Sequence, residues 1–282
     1  MNVKRLINIS RPRFWIYVLG TFLVGVVAAG DPRLLDIETL IILGVLCLFF
    51  TYPANILIYG VNDIYDYETD KHNPKKIEYE ELIEPKHHKF LSRHMLIWTV
   101  LTALINFFLP WQSAIAFTIF ILFSIYYSAT PIRAKTKPPL DIIFSSVIYI
   151  SPAVVGFFAT GNTNISWLGV LGGLLWASAM QTYSAVPDIE ADTKGGVRTL
   201  ATVLGHQGAL RFCLIAYGVA TYIGYLHLGV IPLLLGLIYL AMVVYTILHP
   251  NKSFWMYKKF PLVNTVFGMT LFFLLVNKFL AI

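Results

Sequence analysis

Apolar positions in this chain neither alternate nor recur as a narrow stripe. They run on, in blocks long enough to be whole helices, and polar residues gather in the short segments between. Nine such blocks are readable, at 14–30, 38–60, 95–110, 113–130, 142–160, 165–186, 209–227, 229–248 and 262–281. About 20 apolar residues carry a helix across the hydrocarbon core of a bilayer. Only helices and closed barrels satisfy their backbone groups there, and continuous runs without dyad alternation favour helices. The pattern predicts an all-α membrane protein: nine transmembrane helices in a single bundle, forming one domain over residues 1–282.

Composition agrees. Hydrophobic residues make up 57% of the chain and charged residues only 13%, against roughly 25% charged in soluble domains. Charge then sets orientation. Nineteen of the 21 Lys and Arg residues fall in segments on the amino-terminal side of the membrane, among them Lys4, Arg5, Arg11, Arg13, Lys71, Lys75, Lys76, Arg133, Lys135, Lys137, Lys194 and Arg198. Arg33 and Lys278 fall opposite. The positive-inside rule makes the crowded side, with the N-terminus, cytoplasmic. Topology therefore accounts for the net charge of +6, and no nucleic-acid partner is needed. The two cysteines, Cys47 and Cys213, lie inside expected spans and read as small buried residues, not a disulfide. The first span follows four basic residues, is too long for a signal-peptide core and lacks a clear cleavage site.

One stretch breaks the apolar pattern. YGVNDIYDYETDKHNPKK, residues 59–76, places Asp63, Asp66, Glu68 and Asp70 just after the second block. A second acidic cluster, Asp188, Glu190 and Asp192 in VPDIEADTKGGVRTLAT, follows the sixth block. Both contain D-x-x-x-D, and the two are offset by 122 residues, as in a diverged four-helix repeat. A single acidic run would read as a solvated loop; two with one spacing on one side do not. If the second helix continues, Asn62, Asp66 and Asp70 share a face with Asp63 beside them. Stacked like charges destabilise a helix unless a cation offsets them. All-oxygen ligands suit Mg²⁺, which bridges carboxylates to phosphate. Cationic donors for a diphosphate are available at Arg11 and Arg13, at Arg133 and Lys135 in a proline-restricted loop, and at Lys194 and Arg198.

NDIYDYETD resembles the N-D-x-x-D-x-x-x-D signature of the UbiA superfamily of intramembrane prenyltransferases, and DIEADTKGGVRTLAT resembles its second D-x-x-x-D motif. The resemblance covers nearly the whole chain. It implies nine helices and a Mg²⁺-bound allylic diphosphate (dimethylallyl diphosphate or longer) at the cytoplasmic end of a chamber open to lipid. It also implies metal binding by Asn62, Asp66, Asp70, Asp188 and Asp192, with Asp63 matching the second letter. SRPRFWIYVLG, YSATPIRAK and AVPDIEADTKGGVRTLATVLG look like the lycopene elongase branch, which attaches C5 units to carotenoid ends. The expected reaction is transfer of an allylic group to a lipophilic acceptor in the bilayer, with Asp66, Asp70, Asp188, Asp192 and Lys135 at the chemistry. Tyr59, Tyr65, Tyr126, Tyr127 and Tyr183 are candidates to face a cation, or simply interfacial belt residues. His87 and His88 lack a ligand spacing. A cation transporter would keep its carboxylates near the membrane midplane. A CDP-alcohol phosphotransferase would show a D-G-x-x-A-R type motif. Quinone-precursor prenylation and terpene cyclisation remain open on these residues.

Overall fold

The computed structural model describes residues 1–30, 36–71 and 81–280; Arg33, Lys75 and Lys76 lie outside them. The described residues are helical, without strands. Every apolar block has a helix on it: Trp15–Ala28, Ile37–Phe50 with Tyr52–Tyr65, Pro85–Ala103, Trp111–Tyr126, Leu140–Ala159, Trp167–Ala185, Leu200–Leu228, Val230–Leu248 and Phe260–Leu280. Six of the described helices are long and apolar enough to cross a membrane. Counting Val3–Ile9 with Pro12–Ala28, bent by 41°, makes seven. This is fewer than the nine blocks predict. Trp111–Tyr126 has only 16 residues, and Trp167–Ala185 is diluted by Ser178, Gln181, Thr182 and Ser184. The third helix also starts ten residues earlier than its apolar block, at Pro85.

The chain forms two compact units. The first holds Met1–Arg133, Ser151–Ile165 and Phe272–Ile282; the second holds Ala134–Ile150 and Ser166–Leu271. The first unit is packed by rings. Phe22, Phe50, Phe117 and Phe120 are fully buried, and Phe50 lies 5.0 Å from Phe22 and 5.3 Å from Phe120 between centroids. The second unit packs around Tyr183, Tyr217, Tyr239 and Phe260. Tyr183 stacks on Phe260 at 4.3 Å, and Tyr217 on Tyr239 at 4.8 Å. Cys213 is buried in this core, and Cys47 and Cys213 are both free.

In a bilayer, helices associate through close packing rather than through exclusion of water, so small residues matter at crossings. Gly25 and Gly156 form such a crossing. A Cβ at Gly25 would collide with the backbone of Ala153, and one at Gly156 would lie 2.5 Å from the Phe22 carbonyl oxygen. Backbone cannot step aside as a side chain can. Gly25→Ala is therefore expected to lower stability by at least the ~1–3 kcal/mol typical of overpacking. Thermal unfolding of the detergent-solubilised protein checks this. Gly44→Ala is the control, because a Cβ there meets nothing within 4 Å.

Candidate active site

The Tyr52–Tyr65 helix carries the first acidic motif, and its start is a break. Pro53 has no N–H to offer, and Thr51 takes non-helical angles of φ −83°, ψ −105°. Asn55 repairs the break by donating its side-chain amide to the carbonyls of Thr51 at 2.6 Å and Phe50 at 3.3 Å. The helix ends at Tyr65, with Asp66 as its C-cap, and Tyr67–Asp70 follows as a short turn. The i→i−4 bonding nevertheless runs through: Asp66 N–H donates to Asn62 at 2.9 Å and Asp70 N–H to Asp66 at 2.8 Å. The register that puts Asn62, Asp66 and Asp70 on one face survives the helix end.

Two of these carboxylates are almost completely enclosed, Asp63 at 4% exposure and Asp66 at 2%. Each meets an arginine. Arg11 donates from Nη2 to Asp63 at 2.7 Å, and Arg133 from Nη2 to Asp66 at 3.3 Å. Both arginines have left-handed backbones, φ 51° at Arg11 and φ 46° at Arg133. Such a conformation is unusual away from glycine and concentrates where a side chain must be aimed. The two contacts differ in character. Arg11 is 12% exposed and its guanidinium sits 4.5 Å over the ring of Tyr59, whereas Arg133 is 37% exposed. Arg11 is the more enclosed of the two and Arg133 the more exposed.

Asn62 completes the cluster. Its amide donates to Asp66 Oδ2 at 2.7 Å and to Ser128 Oγ at 3.2 Å. Ser128 was not among the sequence candidates; a lone serine at a helix end carries no pattern. Tyr59 was a candidate to face a substrate cation, but the cation over its ring is Arg11. Among the other tyrosines, Tyr65 is exposed, Tyr126 and Tyr127 are half-buried, and Tyr183 is locked in the second unit's core. There its hydroxyl meets Thr246.

The second motif belongs to the second unit. Asp188 ends the 3-10 turn Val186–Asp188, and Asp192 lies in the helix Ile189–Lys194; both are half-buried. Glu190 and Lys194 point outward, exposed, and pair with each other at 2.6 Å. Lys194 holds the Glu190 carboxyl below its usual range. Lys194→Ala is accordingly expected to change KM for the diphosphate less than twofold, since exposed pairs contribute little; steady-state kinetics check it. Arg198 is exposed, as is Arg13, which lies over Phe14 at 4.7 Å, while Lys135 is half-buried. Asp141, outside the sequence candidates, is 5% exposed and accepts from the Leu200 N–H at 2.6 Å. It braces the chain just after Arg198.

No group of three or more His, Cys, Asp or Glu side chains is gathered to hold a metal among the described residues. The ready carboxylate cage expected from the sequence is therefore not seen in them, and His88 instead bonds the Ile83 carbonyl at 2.8 Å. The donors present still fit Mg²⁺. That ion takes oxygen ligands, commonly one or two carboxylates with waters and substrate phosphates. Asn62 and the enclosed Asp66 offer such oxygens.

A sequence profile described as the UbiA prenyltransferase family matches residues 18–259. The lycopene elongase/hydratase of Haloarcula japonica is 36% identical over 94% of this chain and 88% of its own. That of Haloferax volcanii is 35% identical over 93% and 85%. The structure of a UbiA homologue from Archaeoglobus fulgidus bound to DMAPP and Mg²⁺ superposes with a TM-score of 0.72 at 15% identity, over 96% of this chain and 99% of that one. The helical fold, the two acidic motifs and the profile match over most of the length converge on one assignment: the chain is an integral membrane protein of the UbiA prenyltransferase family, an intramembrane prenyltransferase.

Proposed function

We propose that this protein transfers a C5 allylic group from dimethylallyl diphosphate to the end of a lycopene-like carotenoid, at the cytoplasmic face of the cytoplasmic membrane. Nine membrane-spanning helices, a cytoplasmic N-terminus and one catalytic domain over residues 1–282 belong to the same reading. The observation that carries it is the enclosed Asn62–Asp66–Arg133–Ser128 cluster, in a chain whose curated relatives are named for lycopene elongation and hydration. The dimethylallyl diphosphate and Mg²⁺ in the fold neighbour support the donor and the metal.

Asn62, Asp66 and Asp70 would hold Mg²⁺, with Asp188 and Asp192 proposed as further ligands from the repeated spacing. When bound, Mg²⁺ neutralises charge on the departing diphosphate. The side chains do the rest. Arg133, partly exposed beside Asp66, would reach a phosphate oxygen of the bound diphosphate. Lys135 and Arg198 are proposed, from the sequence motifs alone, as further cations for the leaving diphosphate. Asp63 is better read as the anchor of Arg11 than as a metal ligand, because their 2.7 Å ion pair already engages a carboxylate that is only 4% exposed. As the allylic carbon's bond to diphosphate breaks, the acceptor's terminal double bond attacks that carbon, and the cation left on the acceptor is discharged by loss of a proton to the released diphosphate.

The acceptor is tested by expressing the protein in lycopene-producing cells. Products one or two C5 units heavier than lycopene are expected. Unchanged lycopene, with prenylation of a quinone precursor in the same membranes, would overturn the acceptor and leave prenyl transfer standing. Arg133→Ala should raise KM for the diphosphate about tenfold or more, as loss of one charge-assisted hydrogen bond implies; a wild-type KM would move the clamp to Arg11, Arg13 or Arg198.

A further inference from the structure

The helix Leu200–Leu228 begins just after Arg198, and its first turn is separated from the rest of it. Gly205 takes φ 66° and ψ 173°, so residues 200–204 stand apart from the long body that follows. The first N–H groups of a helix have no partner within it, and a turn cut off in this way needs anchors of its own. Thr199 supplies one through a reciprocal pair. Thr202 N–H donates to Thr199 Oγ1 at 3.2 Å, and Thr199 N–H donates to Thr202 Oγ1 at 2.9 Å. The second anchor comes from far along the chain. Leu200 N–H donates to Asp141 Oδ2 at 2.6 Å, across a separation of 59 residues. A carboxylate that accepts a backbone N–H at a helix start makes a charge-assisted bond, and the helix dipole favours it there.

Asp141 is itself firmly placed. It is 5% exposed and stands in the first turn of the helix Leu140–Ala159. The chain leading to it is closed by backbone bonds, Lys137 N–H donating to the Ala134 carbonyl at 2.9 Å and Leu140 N–H to that of Lys137 at 2.7 Å. Pro138 and Pro139 restrict the same stretch. Lys135 lies in the 3-10 turn Ala134–Thr136 at its start, so these bonds set the register of Lys135 against Asp141. Arg198 is tied on its other side, where Val197 N–H donates to the Asp192 carbonyl at 2.8 Å. The Asp141 carboxylate therefore joins two short constrained stretches of the second unit. One carries Lys135, and the other runs from Asp192 to Arg198.

We propose that Asp141 is a positioning residue for the allylic diphosphate: by fixing the Leu200 turn against the Lys135 turn, it sets where Lys135 and Arg198 stand to receive the phosphate oxygens. It touches no substrate and acts through those two cations. The inference rests on the proposed function and deepens it, naming what arranges the second unit's positive charge. A carboxylate that only capped a helix would stabilise the fold and leave diphosphate affinity where it was.

The test is Kd for dimethylallyl diphosphate in the presence of Mg²⁺, measured by titration calorimetry on the purified protein without acceptor, so that the result does not depend on the acceptor. The thermal unfolding midpoint is followed for each variant. Asp141→Ala should raise Kd about fivefold or more, because the bond lost is one to a charged group. Asp141→Asn keeps an acceptor oxygen and should bring Kd back to within about twofold of wild type. In a Lys135→Ala/Arg198→Ala background, whose own Kd is raised, adding Asp141→Ala should change Kd less than about twofold, since residues that act through one another do not add. A wild-type Kd in Asp141→Ala overturns the proposal, whatever its unfolding midpoint, and so does an undiminished effect in the Lys135→Ala/Arg198→Ala background. If Asp141→Ala yields no folded protein, Thr199→Ala loosens the same turn at its other anchor, and a wild-type Kd there overturns the proposal equally. A wild-type Kd in Lys135→Ala/Arg198→Ala itself would instead overturn the reading of those two residues as diphosphate cations, and absence of binding by wild type would overturn the donor; the positioning role falls with either.

Discussion

Asp66→Ala is expected to abolish prenyl transfer in a protein that still folds. Asp66 is the most enclosed acid of the first motif and the meeting point of the Asn62 amide and the Arg133 guanidinium. Removing its carboxylate takes away a ligand for the cation and the group that presents Arg133. Loss of a single preorganised electrostatic contact typically lowers kcat about 10²–10³-fold; losing a metal ligand with it should exceed that. Asp66→Asn keeps the shape and an oxygen but not the charge, and is expected to be nearly as inactive. Turnover is read as diphosphate release, and folding as the thermal unfolding midpoint. Retention of a tenth or more of wild-type activity by Asp66→Asn would show that the carboxylate charge is not needed.

Asp63→Ala should be the most destabilising substitution in the motif. It removes the carboxylate 2.7 Å from Arg11, which is 12% exposed and packed on Tyr59. Breaking a buried ion pair from one side costs about 3–5 kcal/mol, whereas replacing both partners with apolar groups is often close to neutral. Arg11→Met combined with Asp63→Leu is therefore expected to recover most of the stability that Asp63→Ala loses. The metal-ligand role implied by the sequence motif makes the opposite forecast: unchanged stability and a raised Mg²⁺ requirement. Thermal unfolding and a Mg²⁺ titration on the same variants separate the two.

Most of the helices and the first motif were legible in the sequence, for physical reasons. A bilayer forces backbone bonding into helices, so apolar runs become elements almost one for one. Four acids in a greasy chain stand out because each is costly there. The span count was less legible. Trp167–Ala185 pairs polar residues with its own carbonyls and with Ser146, which pattern cannot foresee. The division of labour inside NDIYDYETD was not legible either. Asp63 and Asp66 are one turn apart and chemically identical; only the fold shows that one faces the more enclosed Arg11 and the other the more exposed Arg133. Arg11 and Arg133 gave no sign of their left-handed backbones, because that conformation is set by where the side chain must reach. Asp141 reads as an ordinary boundary residue until its burial and its bond to the Leu200 N–H single it out.

The most direct test uses purified protein in lipid vesicles containing lycopene, supplied with isotopically labelled dimethylallyl diphosphate and Mg²⁺. The account predicts label in carotenoids one C5 unit heavier than lycopene, with one diphosphate released per C5 unit attached. It predicts none of either with EDTA or with Asp66→Ala. Label remaining in the diphosphate with wild-type protein, or transfer that proceeds equally with EDTA or with Asp66→Ala, would contradict it.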